Sequence, residues 1–257
     1  MVGIKAIIFD QDGVIIDTER DGHRVAFNKT FKEFGFDFEW DADYYYKLLQ
    51  VAGGKERMRH HLHTKGFGKE INPAEEDELI KKLHKRKTEI FIELIKEGSL
   101  PLRPGIKRIM KEAMAMGLKI GICTTSNEKA AHAVAYGILK EIKFNFVLAG
   151  DVVKKKKPDP EIYLLGLKME NLKAKECIVF EDSKNGLAAA KAAGMNVVVT
   201  TNSYTEKEDL SRGDIIVTCL GDPEGEKGEL KKGGQGLDYN GVLGLDQLAA
   251  YFAGISR

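Results

Sequence analysis

The sequence predicts an α/β fold, a doubly wound parallel-sheet core interrupted by an inserted all-helical domain. Three observations predict it. Apolar runs of strand length recur along the chain, helix-length stretches with a 3.6-residue period lie between them, and one long segment breaks the alternation without any strand signal.

The strands are expected at Ile4–Phe9, Leu118–Cys123, Phe146–Ala149, Cys177–Phe180, Val197–Val199 and Ile215–Val217, each rich in Ile, Val or Phe. Their near-continuous apolar character is that of strands buried on both faces, as parallel strands are. The intervening helices are expected at Gly105–Met116, Glu128–Gly137, Pro160–Met169 and Gly186–Ala193. The break falls between about Thr18 and Ser99. There a helix carries Phe27, Phe31 and Phe34 at helical spacing, a polar turn stands at Gly53-Gly54, and a long helix runs from Glu75 to Lys96, with Leu79, Leu83, Ile90, Leu94 and Ile95 as its buried stripe. Leu100 to Pro104 reads as the return linker. The domains expected are therefore 1–17 with 100–257, and 18–99. The stretch from Gly221 to Gly241, dense in glycine and charge, reads as a mobile loop before a last helix at Leu245–Phe252.

Composition excludes several classes. With 43% hydrophobic and 31% charged residues over 257 positions, the chain has enough apolar side chain for a packed core. Forty Lys+Arg against thirty-nine Asp+Glu give a net charge of +1, without the basic excess expected of a nucleic-acid binder, so any anion specificity is local. Cys123, Cys177 and Cys219 each lie in or beside apolar runs and read as buried thiols in a reducing compartment. The amino end resembles neither a secretory signal nor a transit peptide, and no apolar run approaches the ~20 residues that cross a bilayer. A soluble protein is expected, with no membrane or nucleic-acid partner, and as a monomer.

The chemistry gathers at strand ends, where ligands of such sheets sit. The first strand ends in Asp10-Gln11-Asp12-Gly13, and the strand at Cys177–Phe180 ends in Glu181-Asp182. Carboxylates packed this closely repel one another and call for a hard divalent cation, for which oxygen donors and open water positions suit Mg²⁺. Thr124-Thr125-Ser126-Asn127 stands at a helix start, where hydroxyls and backbone N–H groups hold phosphate. Lys154–Lys157 precedes Pro158 and brings a cation. Each piece alone is weak evidence, but four in order, each after an expected strand, form a strong pattern. The histidines His60, His61 and His63 lack a fourth ligand at zinc spacing, and Trp40, Tyr44, Tyr45 and Tyr46 read as packing among helices.

The segments FDQDGVIIDTE, CTTSN, KKPDPEIY and VFEDSKNGLAAAKAAG resemble the four motifs of haloacid-dehalogenase-type (HAD-like) phosphatases whose helical cap is inserted after the first motif. DTERDGHRVAFN, GGKERM, LHKRKTEIF, LPLRPGI, TTSNEKA and GDVVKKKKPDPEIY are most similar to the CbbY-like phosphatases of photosynthetic organisms, which hydrolyse xylulose-1,5-bisphosphate, an inhibitor of rubisco. β-Phosphoglucomutases and small sugar-phosphate phosphatases are the next most similar groups. Gln11 departs from the pattern, standing where CbbY-like sequences often carry Cys.

The resemblance implies a Rossmannoid core, an aspartyl-phosphate mechanism and a phosphosugar substrate. Asp10 would be the nucleophile and Asp12 the acid and base. Mg²⁺ would be held by Asp10, the backbone carbonyl of Asp12, Asp182 and Glu181, while Thr124 and Lys157 would bind the transferring phosphoryl group, aided by Thr125, Ser126 and Asn127. Glu19, His23, Gly54, Lys55, Arg57 and Lys87 would contact the rest of the substrate from the cap. The compartment implied is the cytoplasm, or the plastid stroma after removal of a transit peptide. A phosphosugar mutase is the competing activity, and a general small sugar-phosphate phosphatase a broader form of the first. A phosphonate hydrolase using Lys55 has little use for Asp12, and an inert binding protein has little use for the complete acid set.

Overall fold

The computed structural model describes residues 3–49, 51, 53–150 and 152–255. Asp151, within one of the motifs quoted above, lies outside the described residues. The chain divides into two compact units, one of residues up to Asp17 together with those from Pro101 onward, the other Thr18–Leu100.

The first unit is built on one sheet with strand order β3-β2-β1-β4-β5-β6-β7. Its strands are β1 (Ala6–Phe9), β2 (Lys119–Cys123), β3 (Phe146–Leu148), β4 (Cys177–Glu181), β5 (Asn196–Thr200), β6 (Ile215–Val217) and β7 (Leu230–Gly233). All neighbours pair parallel except β6 and β7. β1, β4 and β5 are buried along their whole length, as both-face coverage requires. Side chains alternate. Ala6 and Ile8 join one core with Val179, Val197, Ile162, Leu167 and Leu187, while Phe9 stacks on Phe180 with ring centroids 4.7 Å apart.

Order of the strands sets the site. β2 lies on one side of β1 and β4 on the other, so the direction of winding reverses at β1, and that switch point is where open α/β sheets bind ligands. The register places Phe9 beside Phe180 and Ile122, which brings the residues following all three strands to one edge.

Four helices flank these strands: α5 (Ile106–Ala115), α6 (Glu128–His132), α7 (Glu161–Glu170) and α8 (Lys184–Ala192), with α9 (Leu245–Ile255) at the end of the described chain. The helix expected at Glu128–Gly137 is α-helical only to His132 and continues as a π-helix over Ala133–Ile138. The stretch Gly221–Gly241 is a correction: it carries β7, an ordered strand at the sheet edge. Gly228 and Gly233 within it serve close backbone approach. A Cβ at Gly228 would strike the Cys219 carbonyl and one at Gly233 the Asp214 carbonyl, while Arg108 Nη2 ties down the carbonyls of Leu220, Gly221 and Leu243 at 2.8–3.1 Å. Exposed Lys231 and Lys232 guard the free edge against further pairing.

The second unit is helical. A π-helical turn (Thr18–His23) leads into α1 (Arg24–Glu33), followed by α2 (Ala42–Leu48), α3 (Gly54–Lys65) and α4 (Glu76–Lys96). Its centre is aromatic: Phe27, Phe31, Trp40, Tyr45 and Phe67 are buried, with Trp40 4.8 Å from both Phe27 and Phe31. Trp40 is fixed from both sides by Asn28, whose Oδ1 accepts from Trp40 N–H and whose Nδ2 donates to its carbonyl. One expectation is corrected here. Ile80 takes the buried position assigned to Leu79, which is half-buried. Among the described residues no helix is long and apolar enough to cross a membrane.

His61 sits buried in this aromatic nest, 4.5 Å from Phe38, with Nδ1 2.9 Å from the Tyr44 hydroxyl. Burial first, then Lys65 and His60, lowers its pKa to about 4. Its unfolded value is about 6.5, so the unfolded chain binds more protons between these limits. The stability it supports is fully present above about pH 6.5 and is lost as pH falls toward 4. His61→Gln is expected to flatten the loss of urea stability over that window, followed by fluorescence of the single tryptophan, Trp40; an unchanged pH slope would refute it.

Candidate active site

The pairing of β1 with β4 has a direct chemical result. Asp10 N–H donates to the Phe180 carbonyl at 2.9 Å, so the Asp10 side chain emerges beside Glu181 and Asp182. Oxygens of these three buried carboxylates lie within 4.8 Å of one another.

Lys157 enters the cluster from the loop before α7. Its Nζ donates to Asp10 Oδ1 at 2.7 Å, Glu181 Oε1 at 2.7 Å and the Cys123 carbonyl at 2.9 Å. Burial disfavours its charge, but Asp10 and Glu181 outweigh that and hold its pKa above the ordinary lysine value. Asp10 is pushed up to about 7, by burial most of all, against the pull of Lys157 and with Glu181 and Asp12 adding to the rise. Asp182 is raised well above the usual range by burial, then by Asp10 and Glu181. Four carboxylates with one lysine among them leave uncompensated negative charge, each close like-charge pair costing ~4 kcal/mol at an effective dielectric near 20. An oxygen-rich donor set with this deficit fits a divalent cation.

Asp12 follows on the loop and is half-buried; Ser126 Oγ donates to its Oδ2. Ser126 N–H in turn donates to Thr124 Oγ1 at 3.1 Å, so a chain of contacts links buried Thr124 to Asp12. Asn127 and Thr125 are exposed, and the Asn127 side chain caps α6 by accepting from Lys129 N–H. Asp10, Asp12, Thr124, Ser126, Lys157, Glu181 and Asp182 therefore come together, whereas Asn127 is engaged as a cap.

Three further residues shape the cluster. Tyr163 is fully buried on α7, donates its hydroxyl to Glu181 Oε1, and lies with its ring 5.0 Å from Lys157 Nζ. Asn202, after β5, donates to Asp182 Oδ2 at 2.8 Å. Arg103 donates through its guanidinium to the carbonyls of Gly13, Thr200, Thr201 and Thr218, tying the loop that carries Asp12 to the ends of β5 and β6. Gly13, at φ +81°, is needed because a Cβ there would collide with the Asp182 carboxylate. Tyr163 had a signal in the motif KKPDPEIY, as a lone hydroxyl on a helix face that is otherwise apolar. Asn202 had one only through the rule that strand ends carry chemistry.

In the helical unit the remaining predicted residues form three groups. Lys87, buried on α4, places Nζ 2.9 Å from His23 Nδ1 and lies over the rings of Phe27 and Phe91 at 4.8 and 5.2 Å. Burial, then Lys87, Arg57 and His84, keeps the His23 pKa well below its ordinary value, so Nδ1 accepts from Lys87. Glu19 Oε2 accepts from the Tyr45 hydroxyl at 2.6 Å, and Arg57 lies 3.4 Å from that hydroxyl and 4.0 Å from Glu19. Gly54 opens α3 against the His84 ring, and Lys55 beside it is half-buried.

Sheet order, inserted helical unit and carboxylate cluster are those of a phosphoryl-transfer hydrolase, and residues 4–194 match the family model of haloacid dehalogenase-like hydrolases. The chain belongs to that family. Within it the chain is a CbbY-like phosphatase, similar to the CBBY-like protein of Arabidopsis thaliana, with 46% identity over 233 residues that cover 88% of this chain and 72% of that protein. It is 41% identical over 220 residues to the protein CbbY of Rhodobacter capsulatus, covering 84% of this chain and 94% of that protein. Among solved structures it is similar to CbbY from Rhodobacter sphaeroides in complex with phosphate, with TM-score 0.68, 37% identity, and 84% and 94% of the two chains covered. A mutant of that same protein has been solved in complex with xylulose-(1,5)bisphosphate.

The raised Asp10 and Asp182 give a test of the cation fit. Carboxylates must ionise to bind a cation, so metal-free protein at pH 7 is expected to release protons when Mg²⁺ is added in weak buffer. The apparent Mg²⁺ affinity should fall as pH drops below about 7. Titration calorimetry in buffers of different ionisation enthalpy measures both, and proton uptake or a flat pH dependence would count against the site.

Proposed function

We propose that this protein is a Mg²⁺-dependent phosphatase that hydrolyses a sugar bisphosphate, with xylulose-1,5-bisphosphate as first choice, through an aspartyl phosphate on Asp10. The observation that carries the proposal is the Asp10 carboxylate, buried beside Lys157 and two residues before an acid, Asp12, held by Ser126. The bound ligand of the mutant Rhodobacter sphaeroides CbbY supports the choice of sugar.

In the proposed reaction an Asp10 oxygen attacks phosphorus in line, and the bond from phosphorus to the sugar oxygen breaks. Asp12, protonated at that stage, gives its proton to the leaving oxygen. Water then attacks the phosphorus of the aspartyl phosphate, Asp12 takes its proton, and inorganic phosphate leaves with Asp10 regenerated. Thr124, whose Oγ1 accepts from Ser126, keeps its own O–H for a phosphoryl oxygen, and Lys157 supplies a charged donor to the same group. Asp10, Asp182, Glu181 and the backbone carbonyl of Asp12 would hold Mg²⁺, with one Asp182 oxygen already fixed by Asn202. When bound, the ion offsets the repulsion between carboxylate and phosphate and the charge that builds on the phosphoryl oxygens.

The substrate's remaining groups fall, in this proposal, to the helical unit. Lys55, Arg57 and Lys87 are its cations for a second phosphate, and Glu19 and His23 its partners for sugar hydroxyls. Thr125 and Asn127, exposed at the start of α6, are assigned to help position the phosphoryl group.

Two experiments test this reading. Asp10→Asn should abolish phosphate release, by at least ~10³-fold, while circular dichroism shows the fold retained; surviving turnover sinks the mechanism. A phosphate-release panel should rank sugar bisphosphates, xylulose-1,5-bisphosphate first, above monophosphates. If β-glucose 1-phosphate with a trace of the bisphosphate instead yields glucose 6-phosphate without free phosphate, the enzyme is a mutase.

A further inference from the structure

An ammonium group has three N–H donors. All three of Lys157 are engaged within the protein, by Asp10 Oδ1, Glu181 Oε1 and the Cys123 carbonyl. A lysine that is to hold a phosphoryl oxygen must therefore release one of these acceptors, and the acceptor released must find another donor or remain buried and unsatisfied.

Two of the three are poor choices. Asp10 is the nucleophile in the proposed reaction, and its contact with Lys157 fixes the attacking group. Releasing Cys123 would leave a main-chain carbonyl at the end of a buried strand without its donor. Glu181 differs, because its Oε1 accepts from two side chains at once, Lys157 and Tyr163. The Glu181 side chain is itself immobile: it is fully buried, and the absent Cβ of Gly186 is the space its carboxylate fills. It cannot follow Lys157, and no solvent reaches it. Tyr163 also flanks the ammonium, its ring centroid 5.0 Å from Nζ, so the charge stays over an aromatic face while the hydrogen bond changes partner.

We propose that Tyr163 is a positioning residue for phosphoryl binding: its hydroxyl keeps Glu181 satisfied while Lys157 transfers one N–H from Glu181 to a phosphoryl oxygen. The step breaks one hydrogen bond and forms another, with no change in protonation. This proposal rests on the phosphatase reading, in that it assigns the anion to Lys157, but its central claim concerns phosphate binding and is testable without turnover.

The experiment uses the Mg²⁺-loaded protein and inorganic phosphate as the probe. Tyr163→Phe removes the hydroxyl and leaves Lys157 as the one side-chain donor to Glu181 Oε1 among the described residues. It is expected to weaken phosphate binding, read by calorimetry, by about tenfold or more, the scale of a hydrogen bond to a charged group. It should lower kcat on the preferred phosphosugar by a similar factor. In a Lys157→Met background the same substitution should change phosphate affinity less than twofold, because no donor is left to exchange. Wild-type phosphate affinity in Tyr163→Phe, or an equal loss in both backgrounds, overturns the proposal and leaves Tyr163 as packing. Should Tyr163→Phe not fold, 3-fluorotyrosine at position 163 in otherwise native protein provides the test: its ¹⁹F resonance shifts on phosphate addition if the hydroxyl becomes the sole donor, and stays put if it does not. Inactivity of the wild-type protein toward every phosphosugar, with the phosphate coupling intact, would fail the phosphatase reading and not this one.

Discussion

The ammonium of Lys157, shared between Asp10 and Glu181 in a site that water hardly reaches, is the interaction on which the site's architecture depends. Removing one member of such a buried set is strongly destabilising, since the partner is left as an uncompensated charge. The pairing exists because β1 and β4 are neighbours with Phe9 in register with Phe180, so two carboxylates far apart in sequence reach one sheet edge. Everything near it is arranged to keep that edge fixed. Phe9 and Phe180 stack beneath, Arg103 pins the loop above, and glycines at 13 and 186 leave room for the Asp182 and Glu181 carboxylates.

One lysine does not neutralise four acids. The excess appears as raised pKa values at Asp10 and Asp182, both driven first by burial. Such a deficit among buried oxygen donors fits a divalent cation, which would answer the carboxylates. The near-neutral composition of the whole chain hides this polarity, because net charge averages over a surface while burial concentrates it.

The helical unit follows a different logic. Its core is aromatic, and it admits polarity through paired devices: Lys87 with His23 under two phenyl rings, Tyr45 with Glu19, His61 with Tyr44. Lys87 was expected on a helix and is found buried, which its cation–π contacts make tolerable.

Much of this was legible beforehand. Asp10, Asp12, Glu181, Asp182, Thr124 and Lys157 could be named because each follows an apolar run, and strand ends are where open sheets carry chemistry. Tyr163, Asn202 and Arg103 were missed because their roles depend on partners 18, 20 and 90 or more residues away. The glycine-rich tail misled for the same reason: glycine signals freedom in isolation, and only the facing carbonyls of Cys219 and Asp214 reveal that it serves close approach. Local pattern determined the strands, the helices, the inserted segment and the residue types at the strand ends, since periodicity and turn chemistry act over a few residues. Which donor serves which carboxylate was decided by tertiary structure alone, because hydrogen bonds at 2.7 Å are set by the register of strands and the seating of α7, and no local sequence signal carries that distance.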